Sequence, residues 1–265
     1  MCRFLAYSGA PVFLDTLLIR PRASLIAQSL AAREAKTVVN GDGCGIGWYG
    51  ELPEAGLYRG ILPAWSDLNL ASLCRQIRSR LFFAHVRSAT YGEVSTANCH
   101  PFAAGRHLFM HNGQVGGYAK LRRRIDALIP DELYTLRRGT SDSEAIFLAA
   151  LARGLDADPV AAMRSALEAV SAEMQAADLS AEPLRFAAVH SNGETLRAYR
   201  WASDNQPPSL YWRAEGDGFV IASEPCDDNP SAWGAVPSGS VLEVGPGGGA
   251  RLTAFGLDAG LRRAA

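Results

Sequence analysis

The chain has 265 residues, of which 48% are hydrophobic and 20% are charged, as in a globular protein with a buried core. Its formal net charge of −1 argues against a dedicated nucleic-acid-binding protein, which would normally be basic. It contains no apolar run of roughly 20 residues that could span a bilayer and no signal-peptide pattern. We therefore expect a cytoplasmic protein that acts on neither nucleic acids nor membranes.

The first half of the chain is predicted to form strands around two short helices. Arg3–Val12 is typical of a strand and turn, and Ser24–Lys36 of a short amphipathic helix. The glycine-rich segment Asn40–Glu51 predicts a tight loop that enters a strand. A helix is expected within Ser66–Arg80, with its first serine as N-cap. The continuous apolar run Leu81–Val86 is short enough to be a buried strand.

The second half adds helices and then returns to strands. His107–Gly113 predicts another buried strand, which ends in an Asn-Gly turn. Ser141–Glu144 has the pattern of a capping box at the start of a helix, and Asp158–Asp178 predicts a second long helix. From Leu184 onward strands and turns alternate, with Asn192-Gly193 as a type I′ hairpin turn. Similar junctions are predicted at Ala214–Gly218 and Gly245–Gly249.

This order of elements predicts the fold class. Strands, helices and strands follow one another without regular βαβ alternation. Such an order favours antiparallel sheets with segregated helices, which is an α+β layered architecture. Because no linker-like stretch interrupts the sequence, we expect a single domain over residues 1–265.

Cys2 is the first candidate catalytic residue. Removal of Met1 would leave a residue with both a thiol and a free α-amine, whose pKa is about 8. The amine can then act as the base for the thiol beside it, which is the N-terminal-nucleophile arrangement. The alternative is an unimportant residue at a frayed terminus. The other cysteines form no CxxC pair and are expected to be small buried hydrophobic residues.

Other polar residues follow the predicted elements at positions suited to substrate binding. Arg87 comes directly after the strand Leu81–Val86, where its planar fork could bind a carboxylate through two hydrogen bonds. Asn112 and Gly113 offer a side-chain amide and a backbone N–H that can converge on an oxyanion. Asp142 could pair with an α-ammonium group. The alternatives are a strand-end arginine, a plain Asn-Gly turn and an acid that favours the first helical turn.

Histidines and basic residues suggest less specific roles. His85 and His111 are expected in the core, and His100 is expected to support a loop. A zinc site built from these histidines and Cys99 has no recognisable ligand spacing, so we expect neither a metal nor a cofactor. The basic run Lys120–Arg124 is expected to be the solvated face of a helix.

Together these candidates describe an enzyme for γ-glutamyl amides. Two clamps would bind the α-amino-acid head of the substrate, and the thiol would attack its δ-carbonyl. The motifs Met-Cys-Arg, GDGxGI, HxRxATxG, NxxPF, HNG and SDSE, in that order, resemble the class II glutamine amidotransferases, which are N-terminal-nucleophile hydrolases. They extend from Cys2 to about Leu151. The chain is most similar to short stand-alone members, such as ergothioneine-pathway γ-glutamyl hydrolases and bacterial glutamine amidotransferase-like proteins.

The resemblance implies a fold and a catalytic set. The fold would be a four-layer αββα sandwich with two stacked antiparallel sheets. Cys2 matches the family's nucleophile, and its freed amine matches the general base. Asn112 and Gly113 match the oxyanion hole.

The resemblance also implies the residues that bind the substrate. Arg87 matches the arginine that binds the glutamyl α-carboxylate, helped by the backbone around Thr90 and Tyr91. Asp142 matches the acid that binds the α-ammonium group. Because the sequence contains no synthase segment, any acceptor of ammonia is expected to be a separate protein.

Alternatives to a glutamine-cleaving enzyme remain open at this point. One is a hydrolase for a larger γ-glutamyl conjugate with a quaternary ammonium, which aromatic faces bind well. A second is a binding or regulatory module on the same fold without catalysis. A third is a papain-like hydrolase in which a histidine activates another cysteine. The aromatic candidates for the first alternative are Trp48, Tyr49, Trp65 and Tyr91.

Overall fold

The computed structural model describes residues 2–34, 37–89 and 93–257. The described residues form thirteen strands and seven α-helices. The strands are β1 (Arg3–Phe13), β2 (Cys44–Trp48), β3 (Gly56–Gly60), β4 (Arg78–Val86), β5 (Phe102–Ala104), β6 (His107–Val115), β7 (Leu184–Ser191), β8 (Leu196–Ala202), β9 (Tyr211–Glu215), β10 (Gly218–Ala222), β11 (Gly234–Ala235), β12 (Ser240–Val244) and β13 (Ala250–Ala254). The helices are α1 (Asp15–Leu18), α2 (Leu25–Leu30), α3 (Leu68–Gln76), α4 (Tyr118–Asp126), α5 (Asp131–Tyr134), α6 (Asp142–Ala152) and α7 (Pro159–Ala176).

The strands form two antiparallel sheets. The seven-stranded sheet has the order β11-β9-β10-β1-β4-β2-β3, and the six-stranded sheet has the order β13-β12-β8-β7-β6-β5. The central strand β1 pairs with β10 on one side, where Leu5 is opposite Ala222, and with β4 on the other. The prediction of antiparallel sheets in an α+β fold is confirmed.

The two sheets pack face to face through a buried apolar layer. Phe4 and Ala6 of β1 contribute to this layer, as do Leu108 and Met110 of β6. Because side chains alternate along a strand, Asn112 belongs to the same face of β6 as these two residues. The layer therefore ends in a polar side chain where β6 approaches the start of β1.

Helices cover the outer face of each sheet. Helices α1 to α3 pack on the seven-stranded sheet through leucines such as Leu17, Leu25 and Leu70. Helices α4, α6 and α7 pack on the six-stranded sheet, with Phe147 of α6 stacked on Phe109 of β6 at 5.3 Å between ring centres. The resulting layers are helix, sheet, sheet and helix.

No helix in the described part of the chain is both long and apolar enough to cross a membrane.

Two helix predictions in the first half need correction. The helix predicted over Ser24–Lys36 ends at Leu30, although Ser24 is its N-cap and accepts a hydrogen bond from the Ala27 N–H. The helix predicted from Ser66 is capped by Asp67, whose carboxylate accepts the Leu70 N–H at 3.0 Å. A carboxylate also interacts favourably with the positive end of the helix, which explains this choice of cap.

Two turn predictions were also wrong. Asn112-Gly113 is not a turn, because β6 continues to Val115 and pairs with β7 through both residues. The hairpin at Asn192-Gly193 exists, but Ser191 pairs with Leu196, so its loop has four residues and not the two of a type I′ turn. Asn192 Oδ1 closes that loop by accepting two backbone N–H groups.

Candidate active site

The predicted site residues that the structure describes lie around one cleft. This cleft opens at one end of the sheet stack, where β1 begins, β4 ends and α6 begins. Thr90 and Tyr91, which were also predicted to bind substrate, lie outside the described residues. The predicted residues that line the cleft are Cys2, Arg87, Asn112, Gly113 and Asp142.

Cys2 is half-buried at the start of β1. Its Sγ atom accepts the Ser88 N–H at 3.4 Å and lies 3.5 Å from the Ser88 carbonyl oxygen. Burial raises the pKa of the Cys2 thiol, although the Ser88 N–H and the nearby Arg87 and Arg3 charges oppose this increase. The thiol is therefore protonated at neutral pH and needs a base to become a nucleophile.

Arg87 is buried, and the glycine-rich loop holds its backbone. The Arg87 N–H donates to the Gly43 carbonyl at 2.8 Å, and the Asp42 N–H donates to the Arg87 carbonyl at 3.0 Å. The Asp42 carboxylate also accepts the Ala89 N–H at 2.8 Å. Gly43 has a φ of +116°, and a Cβ there would lie 2.7 Å from the Cys99 sulfur. The glycine-rich loop thus fixes the segment that carries Arg87.

Asn112 and Gly113 lie side by side on β6. The Asn112 side chain is buried, and its Nδ2 has no hydrogen-bond partner among the described residues. A Cβ on Gly113 would lie 2.0 Å from the Arg185 carbonyl oxygen and 2.3 Å from His111 Nε2, so only glycine fits there. A buried amide donor without a partner is costly to maintain and is therefore a candidate for binding a ligand oxygen.

Asp142 is the first residue of α6, and two backbone donors fix its carboxylate. The Val115 N–H donates to Oδ2 at 2.9 Å, and the Ser143 N–H donates to Oδ1 at 2.8 Å. Ser143 Oγ lies 2.9 Å from His111 Nδ1, which connects the start of α6 to β6. Asp142 thus satisfies both interpretations made from the sequence, since it occupies the first helical turn and also lines the cleft.

Glu144 holds the loop that precedes Asp142, a role that the sequence analysis did not predict. Its buried carboxylate accepts Arg137 Nη1 and the Gly139 N–H, each at 2.7 Å, and the Arg138 N–H at 3.1 Å. The capping box is therefore half formed. Ser141 caps the helix as predicted, whereas the Glu144 carboxylate binds the loop and not the backbone of the capping residue.

Asn98, from the NxxPF motif, links the two predicted substrate clamps. Its Nδ2 donates to the Glu93 carbonyl at 3.0 Å, which also accepts Arg87 Nη1 at 3.2 Å. Its Oδ1 accepts the Thr140 N–H at 2.6 Å, two residues before Asp142. Asn98 therefore fixes the loop of Arg87 relative to the loop of Asp142, another role that the sequence analysis missed.

His85 and His100 form a buried ring pair beside the cleft. Their ring centres are 4.2 Å apart, and none of their ring nitrogens has a partner among the described residues. Burial lowers the pKa of His85 to about 3 and that of His100 well below its usual value, so both rings are neutral. His111 is also buried, as expected. Among the described residues, no three His, Cys, Asp or Glu side chains are grouped as metal ligands.

The remaining cysteines are buried, as predicted. Burial raises the pKa of Cys74 and that of Cys226 to about 12, and also raises the pKa of Cys44 and Cys99. These four thiols are therefore poor nucleophiles. Cys2 is the half-buried cysteine among the five.

Comparison with known proteins identifies the family. Residues 19–206 match the model of the class II glutamine amidotransferases. The chain is 33% identical to the probable glutamine amidotransferase DUG3 of Saccharomyces cerevisiae, over 92% of this chain and 82% of that protein. It is also 33% identical to the γ-glutamyl-hercynylcysteine sulfoxide hydrolase of Mycolicibacterium smegmatis, over 92% of this chain and 96% of that protein. The chain belongs to the class II glutamine amidotransferase family.

Solved structures agree with this assignment. The structure of a glutamine aminotransferase class-II domain protein from Silicibacter pomeroyi matches with a TM-score of 0.74 and 35% identity, over 96% of this chain and 99% of that one. The predicted resemblance and the stacked-sheet architecture are therefore confirmed. The protein is an enzyme of this family.

Proposed function

We propose that the protein cleaves γ-glutamyl amides through a γ-glutamyl thioester on Cys2, with glutamine as the simplest substrate. The observation that carries this proposal is the convergence of Cys2, Arg87, Asn112 and Asp142 on one cleft. These residues come from three strands or strand ends and one helix start, and they supply a nucleophile, an oxyanion donor and two opposite charges.

The first step requires Met1 to be removed, which leaves Cys2 with a free α-amine. Because burial raises the pKa of the thiol, a base must take its proton. The polar contacts of Sγ among the described residues are to the Ser88 backbone, which supplies no base. The α-amine would accept the proton as Sγ attacks the δ-carbonyl. It would then give this proton to the departing ammonia or amine when the C–N bond breaks.

Asn112 and Gly113 would stabilise the tetrahedral intermediate. Asn112 Nδ2 is buried without a partner among the described residues, so it can donate to the oxyanion without first breaking another hydrogen bond. The Gly113 backbone N–H would be the second donor. Because pairing of β6 with β7 fixes the backbone of both residues, these donors would need little reorganisation during the reaction.

The α-amino-acid head of the substrate would bind between the two clamps. Arg87 would bind the α-carboxylate, together with the backbone around Thr90 and Tyr91, and Asp142 would bind the α-ammonium. Water would then hydrolyse the thioester, releasing glutamate and restoring the thiol. In an amidotransferase reaction the released ammonia would pass to an acceptor.

A hydrolase for a larger γ-glutamyl conjugate is the second candidate. Similarity to the M. smegmatis hydrolase, extending over nearly the whole of both chains, supports it. The aromatic residues that were suggested to bind a quaternary ammonium give this candidate no such support where the structure describes them. Tyr49 is buried, with its hydroxyl donating to the Arg106 and Ser191 carbonyls, and neither Trp48 nor Trp65 lines the cleft.

The first test is the intact mass of the protein before and after incubation with a glutamine-analogue diazoketone. We expect a mass that lacks Met1, followed by one stoichiometric adduct that peptide mapping assigns to Cys2. A Cys2→Ala variant is the matched control and should gain no adduct, because the other cysteines are buried with raised pKa values. Full glutaminase activity of Cys2→Ala would contradict the mechanism.

Substrate assays separate the remaining alternatives. Turnover of glutamine would support the main proposal, and turnover of only a bulky γ-glutamyl amide would support the second candidate. A processed protein that binds glutamate but turns over neither substrate would be a binding or regulatory module.

A further inference from the structure

A nucleophile at the chain terminus is joined to the rest of the chain on one side only, so other contacts must fix its position. Terminal residues fray unless they are tied to the fold. Cys2 precedes the first residue of β1, and its side chain makes contact with the Ser88 backbone. The residues that fix the Cys2 backbone therefore determine where both the thiol and the freed amine point.

Arg3 makes the principal connection to the Cys2 backbone. Its side chain is fully buried, and its Nε donates to the Cys2 carbonyl at 2.7 Å. Its Nη1 donates to the Ser223 carbonyl at 3.3 Å and to Glu224 Oε2 at 3.4 Å. The shortest of these hydrogen bonds is the one to the residue that carries the thiol.

Glu224 is in turn held by backbone donors from another segment. Both oxygens of its buried carboxylate accept the Arg33 N–H at 3.1 Å, and Oε2 accepts the Glu34 N–H at 3.0 Å. The neighbouring Ser223 binds β1, since its hydroxyl accepts the Phe4 N–H at 3.0 Å. The segment that follows β10 thus joins the start of β1 to the loop after α2.

The geometry of the Arg3–Glu224 pair is not that of a strong ion pair. Arg3 and Glu224 meet through one contact of 3.4 Å, and Arg3 Nη2 has no partner among the described residues. A buried ion pair generally stabilises a fold no better than well-packed apolar side chains, so stability alone does not account for it. Both carboxylate oxygens accept backbone donors, while the guanidinium directs its shortest hydrogen bond at Cys2.

We propose that Arg3 and Glu224 are positioning residues for the nucleophile. Glu224 holds the Arg3 guanidinium, and Arg3 holds the Cys2 carbonyl, so that the thiol and the freed amine keep one orientation in the cleft. This inference rests on the proposed function, because it concerns the same reaction. It explains why Arg3, at the start of β1, meets Ser223 and Glu224, which directly follow β10.

Two conservative variants test the proposal. Glu224→Gln keeps an acceptor for the backbone N–H groups but removes the charge that holds Arg3. Arg3→Lys keeps the charge of residue 3 but loses the fork that reaches both Cys2 and Glu224. Glu243→Gln is the matched control, because Glu243 pairs with Arg197 at 3.0 Å between β12 and β8 and does not line the cleft.

We expect kcat to fall at least tenfold in Glu224→Gln and in Arg3→Lys, with KM for the γ-glutamyl substrate within twofold of wild type. Glu243→Gln should keep both constants. A kcat within twofold of wild type in both Glu224→Gln and Arg3→Lys would overturn the proposal, as would an equal loss in Glu243→Gln. If Glu224→Gln fails to fold, Arg3→Lys decides the question in the same way.

A second measurement separates this proposal from the proposed function. Hydrogen exchange of the backbone N–H groups of residues 3 and 4 should accelerate at least fivefold in Glu224→Gln and not in Glu243→Gln, whether or not the protein turns over glutamine. Unchanged exchange would overturn the positioning role. Wild-type and Cys2→Ala assays in the same series test the proposed function separately.

Discussion

The two ends of strand β6 carry buried polar side chains that differ in their hydrogen bonding. At one end, both ring nitrogens of His107 have partners: Nδ1 lies 2.9 Å from His190 Nε2, and Nε2 lies 2.8 Å from Asp156 Oδ1. At the other end, Asn112 Nδ2 is buried and has no partner among the described residues. The same strand thus carries a histidine with both ring nitrogens paired at one end and an unpaired amide donor at the cleft.

This difference is the one we expect between a polar group that only supports the fold and one that binds a ligand. A paired histidine is consistent with the general rule that buried polar atoms are hydrogen-bonded. An amide donor left unpaired on a rigid strand costs free energy that the fold does not recover, and a ligand oxygen would satisfy it. The contrast predicts large effects on activity at the cleft end and small effects on stability at the His107 end.

The largest effect is expected for Asn112→Ala. Loss of one oxyanion donor should reduce kcat by about 100- to 1,000-fold, with little change in KM. Because Nδ2 has no partner among the described residues, the substitution breaks no hydrogen bond of this donor there, and thermal stability should remain near that of wild type. Steady-state kinetics and calorimetry on the same preparation would check this. A large loss of stability with unchanged kcat would reverse the assignment of this end of β6.

A smaller loss is expected for Arg87→Lys. Lysine keeps the positive charge but cannot form two parallel hydrogen bonds to a carboxylate. A lost charge-assisted hydrogen bond is worth roughly 1.5–3 kcal/mol, so kcat/KM should fall about 10- to 100-fold, mainly through KM. The comparison is with a substrate that lacks the α-carboxylate, for which wild type and variant should perform alike. A variant that discriminates equally against both substrates would argue against the carboxylate clamp.

The buried histidines predict a dependence of stability on pH at both ends of β6. Burial lowers the pKa of His85, His100 and His111 near the cleft, and of His190 at the other end. Below pH about 6.5 the unfolded chain takes up protons that the folded chain excludes, so the free energy of unfolding falls as the pH falls. Each neutral histidine contributes about 1.4 kcal/mol per pH unit until its folded pKa is reached.

Denaturant titrations at pH 7, 6 and 5 would measure this slope. A His85→Phe variant, which removes one of the neutral rings, should show a shallower decline than wild type. Equal stability at pH 7 and pH 5 would mean that these rings are protonated in the folded protein.

The smallest effect is expected for Asp156→Asn at the structural end of β6. The Asp156 side chain is 76% exposed, and asparagine can still accept a hydrogen bond from His107. The free energy of unfolding should therefore change by less than about 1 kcal/mol, and kcat and KM should not change. Chemical denaturation and a kinetic assay would check both. An activity loss comparable with that of Asn112→Ala would mean that the two ends of β6 are functionally coupled.

The sequence predicted the fold class and the family, because both depend on local patterns and on the order of motifs. The same motifs identified Cys2, Arg87, Asn112 and Asp142 as candidate site residues, and the structure places all four around one cleft. Their catalytic roles remain predictions. The Asn-Gly turn was wrong because pairing of β6 with β7 overrides the local preference of Asn112-Gly113 for a turn. Such pairing depends on residues more than 70 positions away, which no local pattern reveals.

The supporting residues were not predictable for a similar reason. Glu224 meets Arg3 across 221 positions of sequence, and neither residue type signals the other. Asn98 and Glu144 belong to recognised motifs, yet their partners are backbone groups of loops whose positions only the folded chain defines. Local patterns therefore identified the groups that would react, while the groups that hold them in place depend on tertiary structure.

The pairing of β1 with β10 also constrains events during synthesis. Leu5 pairs with Ala222, so the first strand made by the ribosome cannot complete its sheet until most of the chain has emerged. At translation rates of about 5–20 residues per second, that interval lasts roughly 10–45 seconds. An aminopeptidase would have this time to remove Met1, before Arg3 and Glu224 can meet beside Cys2. Slower folding of the rest of the chain would lengthen the interval available for maturation.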